Sequence, residues 1–79
     1  MTCEVRFFGM IGEKLGVQNV KIDLLNDIID RNDLKKSFII KYPVLKNMTF
    51  TIAVDGEFCN EIKNMDVKII ALLPPFAGG

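Results

Sequence analysis

From Thr2 to Phe8 the chain alternates, with Cys3, Val5 and Phe7 on one side and Glu4, Arg6 and Phe8 on the other. Successive side chains leave a strand on opposite faces, so this period of two predicts a strand with one face in a core. Phe8 is the anomaly, an aromatic ring on the polar side. Gly9 to Gly16 is short, with Met10, Ile11 and Leu15 apolar and Gly16 placed as a stop, and predicts one or two helical turns. Alternation returns between Val17 and Leu24, where Val20, Ile22 and Leu24 oppose Lys21 and Asp23. With so short a break between them, the two strands are expected to pair antiparallel.

Leu25 to Arg31 has no clear period, with Ile28 and Ile29 among Asn and Asp. Asn32 is the expected N-cap of a helix, with Asp33 placed to favour the helix dipole. Leu34, Phe38 and Tyr42 then recur every fourth residue, one apolar stripe along a main helix near Asp33 to Tyr42 that Pro43 stops. Thr49 to Val54 is rich in strand formers, and Asp55-Gly56 predicts a tight turn into Glu57-Phe58-Cys59. Asn60 to Asp66 is polar and reads as a loop. Val67 to Leu73 is an almost unbroken apolar run, which predicts a central strand buried on both faces. The order β-β-α-β-β-β, with one extra helical turn, predicts an α+β fold: one helix across a four- or five-stranded sheet.

Seventy-nine residues allow a single domain, 1–79. With 49% hydrophobic and 25% charged residues the chain is expected to fold. Ten basic and ten acidic side chains cancel, leaving no electrostatic footprint for nucleic acid or an anionic membrane. The absence of histidine excludes a histidine general base, a Ser-His-Asp or Cys-His centre and any imidazole metal site. Two cysteines, Cys3 and Cys59, are too few for zinc and lack CxxC spacing, so no metal is expected. Without secretory features they are expected to stay reduced in a cytoplasmic protein. Each is expected to act as a small buried hydrophobe rather than as a persulfide carrier. Lys35, Lys36 and Lys41 read as a solvated cluster late in the helix, complementing its dipole.

The last eight residues, Leu72-Leu73-Pro74-Pro75-Phe76-Ala77-Gly78-Gly79, hold the candidate chemistry. Two prolines fix φ and favour an extended chain that leaves the sheet. Six extended residues from Pro74 reach about 20 Å, at roughly 3.3 Å each. Gly78 and Gly79 lack a Cβ, so they can thread a narrow channel and bring a backbone carboxylate to a reactive phosphate or thiol. A frayed end would also contain glycine, but it would rarely follow a hydrophobic strand directly through Pro-Pro-Phe.

The ending Ile70-Ala71-Leu72-Leu73-Pro74-Pro75-Phe76-Ala77-Gly78-Gly79 resembles the C-terminus of the small subunit of molybdopterin synthase, the MoaD type within the MoaD/ThiS sulfur carriers. Val5-Arg6-Phe7-Phe8-Gly9 resembles that family's first strand, Lys41-Tyr42-Pro43 its helix end and Val54-Asp55-Gly56-Glu57 its central hairpin. The matches occur in order along essentially the whole chain. The terminal PPxxGG is specific, and thiamine-pathway carriers usually lack the double proline. Two departures stand. Val67-Lys68 occupies positions where the family usually has Gly-Asp, and the usual Thr-Val helix start is missing around Ile29 to Asp33.

The resemblance implies a β-grasp (ubiquitin-like) fold whose first and last strands are adjacent and parallel, with a flexible tail, 74–79. It implies a protein that is no enzyme on its own and binds no cofactor. An E1-like adenylating partner (MoeB type) uses ATP to activate the terminal carboxylate, and a persulfide donor enzyme displaces AMP to leave a thiocarboxylate. The large synthase subunit (MoaE type) then uses that sulfur to build the molybdopterin dithiolene, in a heterotetramer formed on a large-subunit dimer. Carried over residue by residue, Gly79 is the reacting carboxylate and Gly78 its thin approach. Pro74, Pro75, Phe76 and Ala77 form the rest of the inserted tail, and Phe8, Phe58 and Leu73 match hydrophobic docking positions. Thiamine, tRNA-thiolation or cysteine-type sulfur carriage, and a ubiquitin-like modifier or interaction domain, remain alternatives at this point.

Overall fold

The computed structural model describes residues 2–23, 32–59, 61–62 and 66–75. Its strands are β1 (Thr2–Phe7), β2 (Asn19–Asp23), β3 (Thr51–Val54), β4 (Glu57–Phe58) and β5 (Ile69–Leu73). The helices are α1 (Met10–Leu15), between β1 and β2, and α2 (Leu34–Lys41). A 3-10 turn, Pro43–Asn47, follows α2. The strands form one mixed sheet in the order β2-β1-β5-β3-β4, in which β1 and β5 are parallel and every other pair is antiparallel. This is the expected β-grasp arrangement, with β5 beside β1.

The alternating residues sort onto two faces as predicted. Cys3 pairs with Ile22, Val5 with Ile70, Phe7 with Leu72, and Leu72 and Ile70 with Ile52 and Val54. All of these are buried, together with Leu34 and Phe38 of α2, Leu45 of the 3-10 turn and Ile11 of α1. The α2 stripe therefore supplies the second layer of the core. Tyr42, just past the helix, is half-buried and sets its ring edge-on to Phe7, with centroids 5.4 Å apart. Gly16 caps α1 in the left-handed conformation, φ 76°, as its position predicts.

Three expectations need correction. The α2 cap is Asp33, not Asn32: its carboxylate accepts from Lys36 N at 3.0 Å, and its carbonyl accepts from Ser37 Oγ at 3.1 Å. Both residues are good cap types, and the first buried position, Leu34, fixes which one is used. Lys35 and Lys36 lie in the first turn of α2, so only Lys41 complements the dipole. Lys35 instead places its ammonium 5.3 Å from the Phe50 ring centroid. β5 buries Ile70 and Leu72 but leaves Ile69, Ala71 and Leu73 half-exposed, because among the described residues the helices cover one face of the sheet. After Pro43, a stretch with no sequence expectation of its own forms the 3-10 turn and contributes the fully buried Leu45. The unassigned stretch 25–31 lies outside the described residues, as do parts of the 60–66 loop.

Asp33→Ala should cost about 1 kcal/mol, the usual value of a helix N-cap. For a domain of this size that lowers Tm by about 4–8 °C. Asp33→Asn, which keeps the acceptor, should recover most of the loss in the same thermal melt.

Candidate functional site

Parallel pairing brings the C-terminal ends of β1 and β5 to one corner. Phe7 lies beside Leu72, and Phe8 N donates to Leu72 O at 3.0 Å, one step past the end of β1. Thr51, at the start of β3, faces Leu73 from the other side. The chain then enters Pro74, half-buried, and Pro75, exposed. Proline has no N–H, so the ladder stops at Leu73 and the backbone is released from the sheet there. Phe76, Ala77, Gly78 and Gly79 lie outside the described residues.

The face of the sheet away from α2 is built from the other parity. One cross-strand row runs Arg6, Ala71, Ala53, Phe58. Neighbouring rows add Ile69 beside Glu4 and Leu73 beside Thr51. The middle of this face is therefore apolar, through Ile69, Ala71, Leu73 and Ala53. Phe58 stands at one edge, 64% exposed, and Phe8 stands at the tail corner, 42% exposed. Toward β2 the face turns polar: Arg6 is ion-paired with Glu4, and Lys21 and Asn19 lie opposite them. Phe8, Phe58 and Leu73 thus share one open surface, and Pro74 and Pro75 leave from its end.

Two residues matter more than the sequence reading allowed. Asp55, taken as a turn former, has φ 49° and accepts through its carboxylate from Lys68 N (3.0 Å) and Ile69 N (2.9 Å). Its own N–H donates to Ile69 O at 2.8 Å, so the β3–β4 turn holds the start of β5. Gly9 turns β1 into α1 with φ 57°. A glycine between a strand pattern and a helical turn was its only signal.

An open groove of about 640 Å³ adjoins the tail corner, lined by Arg6, Phe8, Gly9, Glu13, Val17 and Gln18 among others. Its lining contains no hydroxyl, thiol or amine side chain. Cys3 and Cys59 are free thiols. Cys3 is in the core, where burial and, secondarily, the Asp55 charge push its thiol above the ordinary value, against the thiolate. Cys59 is half-buried against the core, with Sγ 3.1 Å from Glu61 O. Among the described residues no helix is long and apolar enough to cross a membrane.

No family model and no curated protein sequence matches the chain. Solved structures do. The complex of subunits 1 and 2 of molybdopterin-converting factor from Helicobacter pylori contains a chain 30% identical to this one, with TM-score 0.65 and both chains covered completely. A putative molybdopterin converting factor subunit 1 from Pyrococcus furiosus aligns at 18% identity and TM-score 0.68, over 96% of this chain and 99% of that one. SAMP1 from Haloferax volcanii aligns at 20% identity and TM-score 0.67, over the whole of both chains. The latter two speak for the fold, and the fold is that of ubiquitin-like β-grasp proteins. With the full-length match at 30%, the chain belongs to the family of molybdopterin-converting factor subunit 1, the MoaD type.

The Cys3 environment predicts a pH dependence. Between the ordinary thiol value of 9.0 and its raised folded value, the unfolded chain has lost a proton that the folded chain keeps. The stability this provides is complete below the unfolded value and falls as pH rises through the window. Urea titrations across alkaline pH should show native stability falling toward that of Cys3→Ala. Parallel pH curves would mean that Cys3 is not desolvated.

Proposed function

We propose that this chain is the small, sulfur-carrying subunit of a molybdopterin synthase, acting in the cytoplasm as a partner subunit without turnover of its own. One observation carries the reading: the chain matches, end to end, a component of a two-subunit molybdopterin-converting factor. The open face supports it. A sheet surface with an apolar middle and Phe8 and Phe58 at its margins resembles half of a protein interface, with polar groups at the rim. In this reading it docks the large subunit, and residues 74–79 form the arm that enters that subunit's active site.

The carboxylate of Gly79 supplies the chemistry. An adenylating enzyme joins it to the AMP part of ATP and releases pyrophosphate, which turns a poor acyl donor into a good one. The outer sulfur of a donor persulfide then displaces AMP to form an acyl persulfide, and a second thiol cleaves its S–S bond, leaving the thiocarboxylate and a disulfide on the donor. Hydrolysis of the acyl–sulfur bond after transfer to the pterin dithiolene returns Gly79 to a carboxylate. The groups that move protons belong to the partners, and this chain contributes docking, reach and a tip thin enough to enter. No bound cofactor is required, because ATP is consumed by the adenylating enzyme.

Deleting Gly79 leaves any carboxylate about 3.3–3.6 Å short, one residue of reach. Misplacement of about 1 Å already costs on the order of a hundredfold in rate. In a reaction reconstituted with the adenylating enzyme, ATP and the sulfur donor, the native chain should gain one sulfur in place of one oxygen at Gly79. The deletion variant should gain none while still binding the large subunit. Sulfur transfer by the deletion variant would refute the proposal, and an isopeptide product through Gly79 would put a protein modifier in its place.

Phe8→Lys should weaken large-subunit binding more than tenfold, since burying a phenylalanine contributes about 1.5–3 kcal/mol and about 1.4 kcal/mol is tenfold. The variant should melt within a few degrees of the native chain, because Phe8 lies outside the core. Undiminished affinity by calorimetry would remove Phe8 from the interface.

A further inference from the structure

Gly9 and Pro74 stand at opposite ends of the sequence and meet at the corner where the tail leaves. A Cβ on Gly9 would lie 3.3 Å from Pro74 Cγ and 3.9 Å from Pro74 Cδ, and it would meet no other heavy atom outside its own chain neighbours within 4 Å. The backbone of Gly9, at φ 57° and ψ −135°, is itself one that residues with side chains avoid. Two separate constraints therefore hold this position to glycine, and one of them is contact with the tail.

The other described glycines differ. A Cβ on Gly12 would press against the backbone oxygens of Phe7 (3.0 Å) and Val17 (3.2 Å), so Gly12 serves helix-to-strand packing. Gly16 and Gly56 have positive φ but open space around them, and serve turns. Among the described glycines, only at Gly9 would a Cβ reach the tail.

We infer that Gly9 is a positioning residue, a flat seat for the Pro74 ring that sets the direction in which the reactive arm leaves the sheet. The consequence for chemistry rests on the carrier reading above; the contact itself does not. Pro74 has its φ fixed by its own ring and its ψ restricted by Pro75, so little rotation remains at the base of the arm. The seat restrains what remains. Four residues follow Pro75 and can span at most about 13 Å, so the direction fixed at Pro74 bounds where the terminal carboxylate can go, and misplacement of about 1 Å already costs on the order of a hundredfold in rate. A side chain at position 9 therefore redirects the carboxylate without touching it.

The test uses the full chain. NMR of the native protein should show NOE contacts between the Gly9 α-protons and the Pro74 ring. Gly9→Ala adds the side chain, and Pro74→Gly removes the ring while leaving Gly9 unchanged, so one variant remains informative if the other is poorly folded. With the host's adenylating enzyme, either variant should lower kcat of acyl-adenylate formation at least tenfold while KM stays within about threefold. In the Pro74→Gly background, Gly9→Ala should cause no further loss, because the ring its methyl would press on is gone. A merely structural role would instead track thermal stability and leave kcat of the folded fraction intact. Absence of the NOE contacts, unchanged kcat in a folded variant, or strictly additive losses would overturn the inference. If the native chain forms no adenylate at all, the carrier reading fails, and the seat stands or falls on the NOE contacts.

Discussion

β1 and β5, the first and last strands, lie side by side and parallel, and the other features of the molecule follow from that pairing. Parallel neighbours cannot be joined by a tight turn, so the chain between them must cross the sheet, and the elements from α2 onward make that crossing. The crossing lays Leu34, Phe38 and Leu45 over Val5, Ile70 and Leu72, which closes the core. It also puts both strand ends at one corner, where Phe8 N donates to Leu72 O. The aromatic end of the first strand and the proline exit of the last thus become neighbours. At the opposite end of β5, the Asp55 carboxylate holds the N–H groups of Lys68 and Ile69, so the register that delivers Pro74 to its corner is fixed from both sides.

One layer of helices covers one face of the sheet. The other face keeps Ile69, Ala71 and Leu73 half-buried and Phe58 largely in water. Scattered exposed apolar residues are ordinary on a protein surface. Here Ile69, Ala71 and Leu73 of β5 and Phe58 of β4 flank the small, buried Ala53 of β3, and the patch ends where the tail departs, the arrangement that the proposed docking face requires. In the proposed reading the same geometry lets a protein without histidine take part in covalent chemistry, by delivering a reactive end to a site built on its partners.

Local signals are legible in the sequence. The alternation of β1 and β2, the Leu34–Phe38–Tyr42 stripe and the Asp55-Gly56 turn all appear as elements in the expected places, because period and turn chemistry act within a few residues. The adjacency of β1 and β5 came from resemblance to a family; no periodicity encodes which strands are neighbours. The apolar run before Pro74 has the pattern of a strand buried on both faces. It is buried once within this chain, and a face awaiting a partner has the same composition as a face inside a core. The helix cap shifted by one residue because Asn32 and Asp33 are both good caps and only tertiary burial of Leu34 chooses between them. The Gly9–Pro74 contact had no local signature, since its two halves are separated by nearly the whole chain. The exposed Phe8, by contrast, announced itself by parity, and Phe58 by its place beside a turn.

The central claim is that Gly79 carries sulfur as a thiocarboxylate. Its most direct test is intact-mass and fragmentation analysis of the native chain isolated, without added partners, from its own host while that host is making molybdenum cofactor. The account predicts a population in which one oxygen of the Gly79 carboxyl is replaced by sulfur, a label lost on mild hydrolysis and absent when the adenylating enzyme is deleted. A chain whose Gly79 is always a plain carboxylate under those conditions, or is found only in amide linkage to other proteins, would contradict it.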